Sequence, residues 1–208
     1  KERYGVLVEY LDLGGGFPST NTLKGAYLPG TDTVPSLDQF ADAITDVIIG
    51  YGFRQEELPT LILESGRALI DDAGYLLTTV LATKRLSDGR RATILDAGIN
   101  TLFTSFWYEH KINPVQQLGS QTEETVLYGP LCMNIDVVRE SVVMLVLEIG
   151  NQLVILQVGA YNMTQWMQFI TMRPNVVLID SENNTYIIRK AETLEYLQEP
   201  EQLPEHLS

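Results

Sequence analysis

The sequence predicts an α/β segment followed by an all-β domain. Three observations carry that prediction. Before Arg67, an apolar run, a capped helical stretch and a second apolar run succeed one another, the strand–helix–strand order of a parallel unit. After Arg67, short segments rich in β-branched and aromatic residues alternate with turn-formers, the pattern of an antiparallel β domain. Glycine-rich and charged clusters stand where the apolar runs end, the place where barrel enzymes keep their active sites.

The first element is a strand over Tyr4–Leu13, with Val6, Leu7, Val8, Leu11 and Leu13 as its apolar positions. It runs into Gly14-Gly15-Gly16, within the segment LGGGFP (Leu13–Pro18). Consecutive glycines let successive backbone N–H groups turn toward one point, and such a concavity binds an anion, usually a phosphate. A tight turn would use the same residues. A helix follows over Ser36–Tyr51, with Ser36 as N-cap and Asp38 in the first turn. Phe40, Ile44, Val47 and Ile48 share a face, and Gly50 and Gly52 mark the stop. Leu61–Glu64 is a short buried strand and Ala68–Ala73 a helical turn. The predicted strands of the second part are Leu76–Lys84, Ala92–Leu95, Thr125–Tyr128, Val142–Leu147, Leu153–Val158, Val176–Ile179 and Tyr186–Arg189. Gly150-Asn151 reads as a hairpin turn between the fourth and fifth of these. The resulting division is 1–72, 73–198 and a loose, acidic, proline-containing tail at 199–208.

Two strands and one helix cannot cover both faces of a parallel sheet, and a complete (β/α)8 barrel needs roughly 250 residues. Residues 1–72 are therefore expected to be the last units of an incomplete barrel. The remainder would precede Lys1 or come from another chain, and a first residue other than methionine points the same way.

The net charge of −13 disfavours a nucleic-acid partner and suits a cytoplasmic protein. A single cysteine, Cys132, excludes an internal disulfide framework, and two histidines make a structural zinc site unexpected. No apolar run is long enough to span a bilayer, and there is no signal peptide. Neither G-x-G-x-x-G nor G-x-x-x-x-G-K-[ST] occurs, which disfavours nucleotide hydrolysis.

The second apolar run ends in Glu64-Ser65-Gly66-Arg67. Arginine matches a phosphate bidentately, and a carboxylate can hold a ring nitrogen protonated; a surface ion pair would use the same two residues. Farther on stand Asp96-Ala97-Gly98, Gly129-Pro130-Leu131-Cys132 and Gly159-Ala160-Tyr161. Singly these read as a turn, a buried thiol and ordinary core packing.

Their order changes the reading. LGGGFP, ESGR, DAG, GPLC and GAY, in that sequence, resemble the fold-type III pyridoxal-phosphate decarboxylases, the family of diaminopimelate, ornithine and arginine decarboxylases. The resemblance spans nearly the whole chain but only the C-terminal half of such an enzyme. It implies the end of a (β/α)8 barrel followed by an antiparallel β-sandwich-like domain. It also implies pyridoxal 5'-phosphate as cofactor, an amino acid as substrate and release of carbon dioxide. Gly14, Gly15 and Gly16 match the phosphate loop, Arg67 the arginine on that phosphate, Glu64 the carboxylate at the pyridine nitrogen and Tyr161 the tyrosine near the phosphate. Cys132 matches the cysteine that reaches into the partner subunit's site and serves protonation, which implies a homodimer or association with a chain carrying the N-terminal half. Asp96 and Met133 fall at substrate-facing positions.

The departures bear on activity. The family's cofactor-binding lysine lies upstream of Lys1, and Lys24, Lys84, Lys111 and Lys190 do not match it, so this chain alone is expected to be inactive. Met133 replaces an acid that engages the substrate's distal amino group. Leu102-Phe103-Thr104 lacks the arginine that grips a carboxylate in diaminopimelate enzymes, and Ser65 replaces a proline. These changes point to a specialised biosynthetic substrate. The rival reading is a non-catalytic homologue acting as a binding or regulatory protein.

Overall fold

The computed structural model describes residues 6–207. The predicted first strand begins outside that range; within it, only β1 (Tyr10–Asp12) is paired, in parallel, with β2 (Thr60–Ile62). Bonds from Leu13 N to Ile62 O and from Glu64 N to Gly14 O carry the pairing into the two loops that follow. Val6, Leu7 and Val8, expected within the strand, lie outside it and are 45–61% exposed; among the described residues no further strand lies beside them.

Between β1 and β2 come α1 (Gly30–Thr33) and α2 (Leu37–Gly50). The α2 N-terminus is a reciprocal cap: the Ser36 hydroxyl accepts from Gln39 N at 3.3 Å, and Ser36 N donates to the Gln39 side chain at 2.8 Å. Phe40, Ile44 and Ile48 are half-buried, with the Phe17 and Phe40 rings edge-to-face at 5.4 Å. Val47, predicted on the same face, is exposed, since only a narrow stripe of the helix meets the rest of the chain. After β2, α3 (Arg67–Ile70) and a 3-10 turn over Asp71–Ala73 replace the single predicted turn.

The second part contains β3 (Tyr75–Arg85), β4 (Arg91–Leu95), β5 (Ile112–Pro114), β6 (Thr122–Tyr128), β7 (Val137–Leu145) and β8 (Gln152–Leu156). They form one six-stranded sheet in the order β5-β8-β3-β4-β6-β7. Register shifts in β3, β6 and β7 bend it. The sheet is mixed, not purely antiparallel as the sequence predicted: β4 and β6 pair in parallel from Arg91↔Thr125 to Ile94↔Tyr128. Residues 96–121 form the crossover that a parallel pair requires, and β5 leaves this crossover to pair with β8. The predicted β7–β8 hairpin is also corrected. The turn exists, with Asn151 N donating to Glu148 O and Glu148 N to Asn151 Oδ1. Beyond it, β8 pairs with β3, from Tyr75↔Leu156 to Thr79↔Gln152. Leu147 and Leu153, on either side of the turn, are both core residues, so the chain crosses over the core instead of folding back along β7.

That core consists of Val80, Leu95, Leu102, Leu127, Val138, Leu147, Leu153, Ile155 and Val158. Among the described residues, every buried apolar side chain lies between Val80 and Ala160. The described residues of the first part include no buried apolar side chain, and Leu61, Ile62, Leu63 and Leu69 are at 39–76% exposure. Polar bonds join it to the sheet domain: Leu23 bridges to Tyr108, and Glu109 N donates to Thr22 O. The chain closes with the hairpin β9 (Val176–Ile179) and β10 (Thr185–Arg189), then α4 (Leu194–Gln198), capped by Thr193, and a 3-10 turn over Glu205–Leu207.

Candidate active site

The two glycine-bearing loops meet because β1 and β2 are parallel neighbours, so both deliver their C-terminal ends to one place. Gly15 lies so close to the Glu64 main chain that a Cβ there would stand 2.5 Å from Glu64 O. Gly14 and Gly16 have φ of +69° and +85°, a region that glycine adopts without cost. Gly14 N donates to Asp12 Oδ1 at 2.9 Å, so this amide is already spent. Of the three glycines, Gly16 lines the adjoining cleft, while Gly14 and Gly15 shape the turn.

The cleft has a volume of about 620 Å³. Gly16, Glu64, Ser65, Gly66 and Arg67 form one wall, and Tyr161, Tyr108, Trp107 and Thr104 from the sheet domain form the other. Glu64 and Arg67 are the charged side chains among the lining residues. The Arg67 guanidinium lies 4.1 Å from the Tyr108 ring centroid and 5.3 Å from that of Tyr161, within cation–π range. Its Nη1 donates to Asp71 Oδ1 at 2.8 Å. Gly66, with φ +50°, lies against the Tyr161 hydroxyl, which a Cβ would meet at 3.0 Å. The structure thus assembles Gly16, Glu64, Arg67 and Tyr161 from segments far apart in sequence.

The other predicted positions lie elsewhere. Asp96 Oδ1 accepts from the Thr78 hydroxyl at 2.5 Å and from Thr79 N at 2.8 Å, which pins the end of β4 to β3. From the same crossover it is Thr104 that reaches the cleft. Cys132 is exposed on the turn after β6, and Met133 beside it is 37% exposed. Neither lines the cleft.

Three side chains outside the predicted site organise this region. Asp136 is buried, and its carboxylate accepts from Ile99 N at 2.8 Å and Leu131 N at 2.7 Å. It ties the DAG turn to the GPLC turn, and Gly98 and Gly129 leave it the room. An acid set between Ile135 and Val137 was the available signal. Asp71 follows Arg67 by one helical turn, a spacing readable as an ion pair. His110 is buried behind the cleft, its Nε2 2.8 Å from the Thr104 hydroxyl, which also donates to Asn162 Oδ1 at 2.9 Å. Burial pushes the His110 pKa from 6.5 down to about 4; Asp71 pulls it up, while Arg67 and Arg139 push it down. The ring is therefore neutral at physiological pH.

Among the described residues, no group of three or more His, Cys, Asp or Glu side chains is placed to hold a metal ion, and no helix is long and apolar enough to cross a membrane.

A parallel strand pair presenting a glycine turn and an arginine to a cleft completed by a mixed sheet matches a defined class. The family model for the pyridoxal-dependent decarboxylase C-terminal sheet domain matches residues 38–159. The chain belongs to this family. The diaminopimelate decarboxylase of Methanocaldococcus jannaschii is 31% identical over 207 residues, covering 98% of this chain and 44% of that protein. That of Zymomonas mobilis is 32% identical over 209 residues, covering 99% of this chain and 46% of the other. The crystal structure of the M. jannaschii enzyme superposes with a TM-score of 0.83 at 30% identity, over all of this chain and 46% of that one. The chain therefore spans about half the length of the curated relatives it matches.

Proposed function

We propose that the chain is the C-terminal part of a pyridoxal-phosphate-dependent amino-acid decarboxylase. The observation that carries this reading is the convergence of Gly16, Glu64, Arg67 and Tyr161 on one cleft, in a chain of this family. The residues present fit the cofactor. The cleft volume lies in the range of small-molecule sites, the Gly15 position excludes a side chain, and an arginine and a carboxylate share one wall.

When bound, pyridoxal phosphate supplies the electron sink that lets carbon dioxide leave an amino acid. Gly16, on the turn that Gly14 and Gly15 shape, and Arg67 would hold its phosphate, with Tyr161 beside them. Glu64 would keep the proton on the pyridine nitrogen. Cys132, exposed on its turn, would act as general acid in a partner subunit's cleft, a role that requires a homodimer. Residues 6–72 would complete a barrel whose other units cover the exposed apolar faces of β1, β2 and α2, leaving the sheet domain from about residue 73 as a second unit. The acidic charge and lone cysteine support a cytoplasmic setting.

The substrate's far end would not be a carboxylate, since Thr104, not an arginine, is what the crossover brings to the cleft, and Arg67, the arginine among its lining residues, would be committed to the phosphate. Asp96 holds the crossover from which Thr104 projects, and Met133 would meet substrate in the partner's cleft. Carbon dioxide release by the complete protein across a panel of amino acids tests both parts. Cofactor-dependent release is expected, with poor turnover of meso-diaminopimelate. Efficient turnover of that diacid refutes the substrate reading, and no release from any amino acid refutes the activity.

A further inference from the structure

Arg67 is held from behind by a buried polar pair. Asp71, 2% exposed, accepts from Arg67 Nη1 on one carboxylate oxygen and from Asn21 Nδ2 at 2.7 Å on the other. Asn21 is equally buried, and its Nδ2 also donates to Gln157 O at 2.8 Å. Both partners are acceptors, so the amide orientation is fixed. Asn21 Oδ1 is thereby left buried with no partner among the described residues. Gln157 and Tyr161, on the same segment, have φ of 62° and 67°, a region that costs a side-chain-bearing residue energy. An orphaned acceptor and two left-handed residues around one ion pair are costs that a simple surface brace would not carry. Such costs persist where a geometry is being imposed. Among the described residues Arg67 makes no other hydrogen bond or ion pair, so the remaining guanidinium N–H groups stay available to the cleft it lines.

We propose that Asp71 and Asn21 are positioning residues that fix the Arg67 guanidinium toward an anionic ligand group before the ligand arrives. This rests on the reading that Arg67 holds a phosphate. Arginine has a rotamer-rich stem, and a guanidinium already ordered spares the ligand that ordering cost. The Asp71 charge opposes an incoming anion, but it lies behind the cation, and the ordering gain prevails.

The test uses the complete protein freed of cofactor and two probes, pyridoxal 5'-phosphate and pyridoxal, which lacks the phosphate. The dissociation constant of pyridoxal divided by that of pyridoxal 5'-phosphate measures recognition of the phosphate alone. Asp71→Asn should cut this ratio roughly tenfold, the upper scale for one immobilised side chain. Asn21→Ala should lower it in the same direction by less, and serves alone if the Asp71 variant does not fold. In an Arg67→Ala background, Asp71→Asn should change the ratio no further. A merely structural role would weaken both probes equally and leave the ratio intact, which overturns the proposal. A ratio that rises in Asp71→Asn also overturns it, since Asp71 would then only repel the anion. If Arg67→Ala itself keeps the parental ratio, the phosphate reading fails first.

Discussion

His110 gives the protein a pH dependence whose size follows from its burial. The ring is enclosed beneath the cleft with its Nε2 on the Thr104 hydroxyl, and burial holds its pKa near 4 against 6.5 when exposed. Below pH 6.5 the unfolded chain takes up a proton that the folded chain refuses until about pH 4. The histidine's contribution is thus present in full above pH 6.5 and is lost as the pH falls toward 4. At 1.36 kcal/mol per pH unit, the interval from 6.5 to about 4 corresponds to about 3 kcal/mol. Urea unfolding of the protein at half-unit pH steps from 7.5 to 4 measures this directly, with His110→Gln as reference. Glutamine keeps an N–H for Thr104 but cannot titrate. The parent should lose about 3 kcal/mol more than the variant over that interval. Parallel curves would show that His110 is not the buried neutral group described.

Other perturbations test the remaining contacts. Arg67→Ala should weaken pyridoxal-phosphate retention by the complete protein by about 1.5–3 kcal/mol, the scale of a hydrogen bond to a charged group; equilibrium dialysis decides, and unchanged retention removes Arg67 from the site. Gly15→Ala should destabilise by about 1–3 kcal/mol, because its Cβ would meet main chain at Glu64 O, whereas the Cβ of Gly89→Ala meets open space and leaves only the φ strain. Thermal unfolding of the pair should rank them in that order. Asp136→Ala strands two buried N–H groups, those of Ile99 and Leu131, and should cost about 3 kcal/mol or more, seen as a lowered denaturation midpoint.

Local chemistry was legible in the sequence; remote pairing was not. Ser36 and Gln39 announced the start of α2, and the cap forms as their spacing requires. The alternating runs located β3, β4, β9 and β10 to within a residue or two. The parallel pairing of β4 with β6 depends on where a long crossover returns, which no local pattern specifies. The Gly150-Asn151 turn was recognisable, but the same turn can fold a strand back or carry it over a core. At the candidate site, the glycines and the ESGR segment stood out because a glycine triplet and a carboxylate–guanidinium pair each follow an apolar run. Tyr108, Thr104 and Asn21 did not, since each is ordinary in sequence and acquires its place only when the sheet domain closes on the first part.

A crystal structure of the complete protein with pyridoxal 5'-phosphate examines the central claim most directly. The account predicts the phosphate lodged between Gly16 and the Arg67 side chain, with Arg67 still bonded to Asp71. Electron density for the phosphate anywhere else, with the Gly16–Arg67 cleft left to solvent, would contradict it.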